Sequence, residues 1–265
     1  MLGKLFKHEM KANARLLLPL YLVLFVLTVM DRIVLNLHIF KGVFSFLPAS
    51  ITFIYIMSLI SIVIVSFVII VMRFYKNLMS DEGYLMFTLP VKSHQLINSK
   101  LLASLIWTTA SVLAVFASLL LVFASQEHMR IFWDGLKMVM SEIKAEFGTG
   151  NTTLFFIEMI ILIIVASINK IIMIYVSIAI GQLVHAHKVI GAFGAYIGIS
   201  VIIQFAVTFL AFIAGVIFPK MYKDFNDATD ILQILFPIVI LMIIACNVLF
   251  YWVTNYIFNR KLNLE

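Results

Sequence analysis

Residues 51–72, ITFIYIMSLISIVIVSFVIIVM, form an apolar stretch without a single charged side chain. As an α-helix, a stretch of this length rises about 33 Å, which matches the hydrocarbon thickness of a lipid bilayer. Backbone N–H and C=O groups find no water at that depth, and a helix satisfies them internally. The stretch therefore predicts a membrane-spanning helix.

Five further stretches are predominantly apolar. They are Leu16–Met30 (extendable to Leu37), Leu101–Ala124, Leu154–Val184, Val189–Phe218 and Ile231–Phe258. The whole chain is 63% apolar and 12% charged, whereas about a quarter of the residues of a soluble domain are charged. We predict an all-α polytopic integral membrane protein, with six transmembrane helices in a single transmembrane domain covering residues 1–265.

The distribution of basic residues predicts the orientation. Six crossings place both termini on one side of the membrane, and that side carries 11 Lys and Arg residues against seven on the other. Because cytoplasmic segments are enriched in Lys and Arg, we predict that both termini are cytoplasmic. The net charge of +6 is spread over these flanks, which favours contact with anionic membrane lipids and not with nucleic acid.

Residues 1–15 are amphipathic at helical spacing. One face carries basic side chains and the other is apolar, which predicts an interfacial helix lying along the cytoplasmic leaflet before the first span. A plain basic flank of the first span is the alternative. The basic face consists of Lys4, Lys7, His8, Lys11 and Arg15, and the apolar face of Leu2, Leu5, Phe6 and Met10.

The last two apolar stretches are longer than one crossing requires. Pro219 and Pro237 interrupt them, and a proline breaks or kinks a helix. Ala211–Phe218 and Ile231–Phe236 are therefore either two half-helices of a re-entrant hairpin between spans five and six, or parts of long, tilted and kinked spans.

The segment 125–153 joins spans three and four on the predicted extracellular side. Within it, Met129–Phe147 carries an apolar stripe at helical spacing, which predicts a surface helix packed on the outer mouth of the bundle.

Motifs of common active sites do not occur in the sequence. It contains no phosphate-binding Gly-x-x-x-x-Gly-Lys-Ser/Thr loop, no His-Glu-x-x-His and no Gly-x-Ser-x-Gly. His185 and His187 on a short turn are better explained as solvated side chains than as metal ligands, so we predict no catalytic residue, cofactor site or metal site in the chain.

Three polar residues of the fourth span are intramembrane candidates, because ionisable groups at that depth are often functional. They are Glu158, Asn169 and Lys170. They could contact a substrate or form interhelical hydrogen bonds; for Lys170, the alternative is that its long stem carries the ammonium toward the cytoplasmic surface.

The segment 73–100, RFYKNLMSDEGYLMFTLPVKSHQLINSK, is the most informative polar interruption. Ser80 and Asp81 can cap a short helix that Leu89-Pro90 ends, and Ser93 can cap the third span. The short helix would display Tyr84–Phe87 at the cytoplasmic surface. Exposed aromatic side chains indicate a docking site for another protein or contact with the membrane.

This segment resembles the cytoplasmic loop of permeases in the type-2 ATP-binding-cassette (ABC) exporter family. The resemblance lies in Glu82-Gly83, the hydrophobic stretch, Thr88-Leu89-Pro90-Val91, and Leu96 and Ser99-Lys100 at the start of a span. In that family the loop forms a coupling helix that fits a groove on a separate ATPase subunit. The residues that the resemblance assigns to ATPase coupling are Glu82, Gly83, Tyr84, Leu85, Phe87, Thr88, Leu89 and Pro90.

The resemblance also implies the re-entrant hairpin between spans five and six, at Ala211–Phe236, together with partners and cargo. Two ATPase subunits would bind ATP and Mg²⁺, and a second copy or a homologous permease would complete the path through a bacterial plasma membrane. Amphipathic peptides, drugs, lipids or polysaccharides are the implied cargoes. A secondary transporter or channel that works without ATP is the alternative function.

Overall fold

The computed structural model describes residues 2–37, 46–79, 91–184, 187–221 and 228–260. Within these ranges the regular structure is entirely helical, which confirms the all-α prediction. The helices are α1 (Leu2–Leu37), α2 (Phe46–Met79), α3 (Ser93–Val122), α4 (Gln126–Gly181), α5 (Lys188–Met221) and α6 (Ala228–Arg260).

Each helix contains a segment long and apolar enough to cross a membrane. The six segments are Leu2–Leu35, Phe46–Lys76, Ser93–Val122, Asn151–Gly181, Lys188–Leu210 and Gln233–Asn259. They coincide with the six apolar stretches of the sequence, so the fold is that of a multi-pass membrane protein.

Helix α1 is continuous from the amphipathic N-terminal segment into the first span. Residues 2–15 form its first turns and are not a separate interfacial helix, and Pro19 lies inside the helix. The predicted basic face is exposed and the predicted apolar face is half-buried. Between these faces lie Glu9 and Asn13, which are 6% and 3% exposed. Residues 2–15 continue into the first span without a break, because Glu9 and Asn13 pack inside the protein.

Helix α4 bends at Gly148, whose φ of 71° and ψ of 161° are not helical. A positive φ is strained for side chains with a Cβ, so glycine suits this position. The bend separates the predicted surface helix from the span that begins at Asn151. Most of the predicted stripe is exposed, Leu136 and Val139 included, and Phe147 packs on Phe155 with ring centroids 4.7 Å apart. A helix is present here as predicted, whereas the predicted packing of its stripe on the bundle is found only at this end.

The chain divides into two compact units. The N-terminal unit comprises Met1–Lys76 and Gln95–Met138, and the C-terminal unit comprises Asn77–His94 and Val139–Glu265.

In the N-terminal unit, α1 and α3 run parallel in a constant register. Side chains of the two helices meet at separations of 90 to 92 residues along their length, as in the pairs Tyr21–Ser111, Thr28–Ser118 and Glu9–Lys100 and in the contact of Arg32 with Ala124. Helix α2 runs antiparallel to α1, because Glu9 contacts Arg73 whereas Asp31 contacts Thr52. The start of α1, the end of α2 and the start of α3 therefore lie together.

In the C-terminal unit, α4 and α6 run parallel. Phe155 stacks edge-on against Phe236, and Asn169 binds Asn247 further along both helices. The turn from α4 to α5 is tight: a Cβ at Gly181 would overlap the backbone of Ala192. Glycine is required here by this close approach.

The segments predicted as half-helices belong to the long helices. Helix α5 continues through Pro219 to Met221, and Pro237 lies inside α6. This agrees with the alternative of long spans, and neither proline interrupts its helix, contrary to the prediction. Residues 222–227, which would turn the hairpin, lie outside the described residues.

Candidate functional site

One carboxylate joins three helices of the N-terminal unit. Glu9 on α1 accepts hydrogen bonds from Arg73 near the end of α2, at 2.9 Å, and from Lys100 near the start of α3, at 2.5 Å. Its two oxygens each serve one cation. Glu9, Arg73 and Lys100 are named the Glu9 clamp here.

The Glu9 clamp is largely shielded from solvent. The side chains of Glu9 and Lys100 are 7% and 4% exposed, and that of Arg73 is 20% exposed. A buried ion that loses its partner costs about 3–5 kcal/mol, so the carboxylate strongly favours the arrangement in which both helices stay against α1.

A column of hydroxyl groups continues from the Glu9 clamp along the interior of the N-terminal unit. Tyr21 shares a hydrogen bond of 2.8 Å with Ser111, and Ser111 lies 3.0 Å from the hydroxyl of Ser66. Each contact joins a different pair of helices. Hydroxyl hydrogen bonds of this kind hold membrane helices together where lipid offers no competing partner.

A second hydroxyl cluster lies further along the same column. Ser118 on α3 is 2.8 Å from Thr28 on α1 and 2.7 Å from Tyr55 on α2. Apolar packing surrounds this cluster, with Leu24 and Ile62 buried beside Tyr55. Hydrogen bonds therefore join α1, α2 and α3 at several depths of the membrane.

The column ends at Asp31, which is 1% exposed. Its Oδ1 accepts a hydrogen bond of 2.7 Å from Thr52, and its Oδ2 has no partner. The neighbouring Arg32 donates to the carbonyl of Ala124 at 3.3 Å. Among the described residues, Asp31 has no cation in ion-pair contact, unlike Glu9.

Sequence reasoning missed both carboxylates. Neither Glu9 nor Asp31 is among the candidate site residues of the sequence analysis. A signal was nevertheless present, because polar side chains recur along one stripe of α1 at helical spacing. In a membrane helix such a stripe faces protein and not lipid. Its polar members are Glu9, Asn13, Tyr21, Thr28 and Asp31.

In the C-terminal unit, the predicted intramembrane candidates do not form one cluster. Asn169 donates to Asn247 at 2.9 Å, and Asn247 donates to the carbonyl of Val165 at 3.1 Å. This is the interhelical hydrogen bond that was one of the predicted roles. Glu158 is half-buried and Lys170 is exposed, and they lie about 18 Å apart along α4.

The residues assigned to ATPase coupling lie outside the described residues. They are Glu82, Gly83, Tyr84, Leu85, Phe87, Thr88, Leu89 and Pro90. The helices on either side are described: α2 ends at Met79, and α3 begins at Ser93. The hydroxyl of Ser93 donates to Asn259 near the end of α6 at 2.7 Å.

Within the described parts of the chain, no three His, Cys, Asp or Glu side chains are grouped so that they could hold a metal ion. His187 is exposed, and His185 lies outside the described residues. The absence of a metal site in the whole chain stays a prediction.

Comparisons of the chain with protein-family models, with curated proteins and with solved structures gave no match.

Proposed function

We propose that this chain is the permease subunit of an ATP-driven exporter of the type-2 ABC class. The observation that carries the proposal is the Glu9 clamp. Arg73 and Lys100 stand on the two helices that flank the segment 80–90, and one carboxylate of α1 binds both of them. A force applied to that segment would therefore reach three helices at once.

In the proposed mechanism the energy comes from a partner. Two ATPase subunits bind ATP and Mg²⁺ and close on each other, and their closure pushes on the short helix that the sequence predicts at Tyr84–Thr88. The Glu9 clamp prevents α2 and α3 from moving independently of α1. Because the clamp is largely buried, it resists separation better than exposed ion pairs do.

The proposed assembly contains two permeases, either two copies of this chain or one copy with a homologous partner. It lies in a bacterial plasma membrane with both termini cytoplasmic, and an amphipathic substrate leaves between the two permeases. The six spans and the basic residues at the start of α1 support this arrangement.

The test is purification of the tagged full-length chain from its native membrane in mild detergent. We expect an ATP-hydrolysing subunit with Walker motifs to co-purify, identified by mass spectrometry and by ATPase activity. Phe87→Asp with Leu89→Asp should abolish its association without affecting membrane insertion, whereas Lys92→Ala, at an exposed position next to the segment, should retain it. Unchanged association of the double variant would contradict the proposed docking site.

A secondary transporter is a second candidate function, favoured by one observation: Asp31 is a buried carboxylate in a membrane helix and has no cation partner among the described residues. Such groups often take part in proton or ion coupling. Uptake into vesicles that contain only this chain, driven by a proton gradient and lost in Asp31→Asn, would support this alternative over the ABC exporter.

A further inference from the structure

Lys170 stands deep within a membrane span and points away from the packed core of the C-terminal unit. The span Asn151–Gly181 is 31 residues long, and Lys170 lies four residues, about 6 Å, beyond its middle. The side chain is exposed, and within the described residues no hydrogen bond or ion pair involves its ammonium.

The direction of Lys170 is determined by its neighbour. Asn169 is tied to Asn247, which in turn binds the carbonyl of Val165, so these two positions of α4 face α6. Successive helix residues are rotated by about 100°, which turns Lys170 out of that contact. Immediately after it, residues 171–179 are all buried.

Three other side chains share the open side of α4 with Lys170. Ile160 and Ile163 are 58% and 60% exposed, and the hydroxyl of Ser167 donates to the carbonyl of Ile163 at 2.7 Å. Together Ile160, Ile163, Ser167 and Lys170 are named the Lys170 face. It combines an apolar strip with one cation at its end.

Bare hydrocarbon is an unfavourable environment for this cation. With the span centred in a bilayer, the nearer edge of the hydrocarbon lies about 9 Å from Lys170 along the helix axis, and a stem of four methylenes ends short of it. Glu158 is about 18 Å away on the same helix and cannot pair with it. The missing partner is therefore an anion that reaches this depth together with apolar groups.

We propose that the Lys170 face binds an amphiphile with an anionic headgroup, taken from the membrane. The ammonium of Lys170 binds the headgroup, and Ile160 and Ile163 contact the acyl chain. That this amphiphile is cargo rests on the exporter function proposed above, because a headgroup at this depth is one in transit between leaflets. The binding itself does not depend on an ATPase.

The test uses the full-length chain in phosphatidylcholine vesicles with two trace probes that carry the same photoactivatable acyl chain. One probe is phosphatidylglycerol, which is anionic, and the other is phosphatidylcholine. After illumination, mass spectrometry measures the labelling of the peptide that contains residues 160–170. We expect the anionic probe to label wild-type protein about tenfold more than the zwitterionic probe, as a desolvated charge pair would produce.

Variants distinguish binding of the anionic lipid at Lys170 from a general attraction of anionic lipid to a basic protein. Lys170→Gln should bring the labelling ratio close to one, and Lys170→Arg should retain most of it. Lys144→Gln, which removes an exposed cation of α4 outside the span, should leave it unchanged. Retained labelling of Lys170→Arg would also show that the fold tolerates a substitution at position 170.

Three results would overturn the proposal. Equal labelling of wild-type protein by both probes excludes recognition of the headgroup. An unchanged ratio in Lys170→Gln shows that Lys170 does not bind the headgroup. Efficient disulfide formation between two copies of Ile163→Cys, with no lipid labelling, shows that a second copy covers the face. Because the assay contains neither ATPase nor ATP, failure of the exporter proposal leaves its outcome unaffected.

Discussion

Glu9 and Lys100 are 91 residues apart in the sequence, and their side chains meet at 2.5 Å inside the N-terminal unit. The same carboxylate binds Arg73, 64 residues from it. The Glu9 side chain is 7% exposed, and a buried carboxylate is stable only while its cation partners remain in contact with it.

Replacing Glu9 with Gln removes the negative charge and keeps the shape of the side chain. We expect destabilisation of about 3–5 kcal/mol, because Arg73 and Lys100 then lose the largely buried carboxylate that both of them bind. The measurement is the unfolding temperature in detergent. Asp134→Asn breaks an exposed pair with Arg130 and should cost at most about 1 kcal/mol. Equal effects of the two substitutions would show that the Glu9 clamp does not hold the helices.

Replacing Asp31 with Asn should have the opposite effect. The amide oxygen can still accept the hydrogen bond from Thr52, and the substitution removes from the interior a carboxylate that has no cation partner in the described part of the chain. We expect an unchanged or higher unfolding temperature, measured beside Glu9→Gln. A loss as large as that of Glu9→Gln would mean that Asp31 has a charged partner in the folded protein.

Replacing Ser118 with Ala should loosen the contact among the first three spans. The substitution leaves Thr28 and Tyr55 without their shared partner, and hydrogen bonds between membrane helices contribute about 0.6 kcal/mol on average and up to about 1.7. Ser200→Ala is the control, because among the described residues the hydroxyl of Ser200 donates to the carbonyl of Tyr196 in its own helix and to no other helix. The unfolding temperature of Ser118→Ala should therefore be lower than that of Ser200→Ala.

Replacing Gly181 with Ala tests the turn between α4 and α5. The added Cβ would overlap the backbone of Ala192, whereas at Gly194 nothing lies within 4 Å of an added Cβ. Overpacking of this kind costs about 1–3 kcal/mol. Gly181→Ala should therefore lower the unfolding temperature, and Gly194→Ala should leave it unchanged or raise it slightly. The reverse order would show that the helices are not this close.

The predicted orientation can be tested with cysteine labelling after Cys246, the only cysteine, is changed to Ser. A membrane-impermeant maleimide added to intact cells should label Met140→Cys, because residue 140 is predicted to be extracellular. Lys92→Cys should be labelled only after the membrane is opened, because residue 92 is predicted to be cytoplasmic. The opposite pattern would invert the topology inferred from the basic residues.

The sequence by itself determined the six spans and their helical character. A stretch such as 51–72 must satisfy its backbone groups internally in lipid, whatever surrounds it. The exposed basic face of residues 4–15 could also be predicted, because helical periodicity is a local property. Conversely, a break before the first span was predicted and is absent, because the packing of Glu9 and Asn13 in the interior is not a local property.

Only the tertiary structure decided which polar groups meet. The contacts of Glu9 with Lys100 and of Thr28 with Ser118 follow from the rotation and register of whole helices, and a displacement of either helix by two residues would turn these side chains apart. The same holds for Lys170. Its depth could be read from the sequence, whereas its exposure follows from the hydrogen bond of Asn169 to Asn247, which sets how α4 is turned.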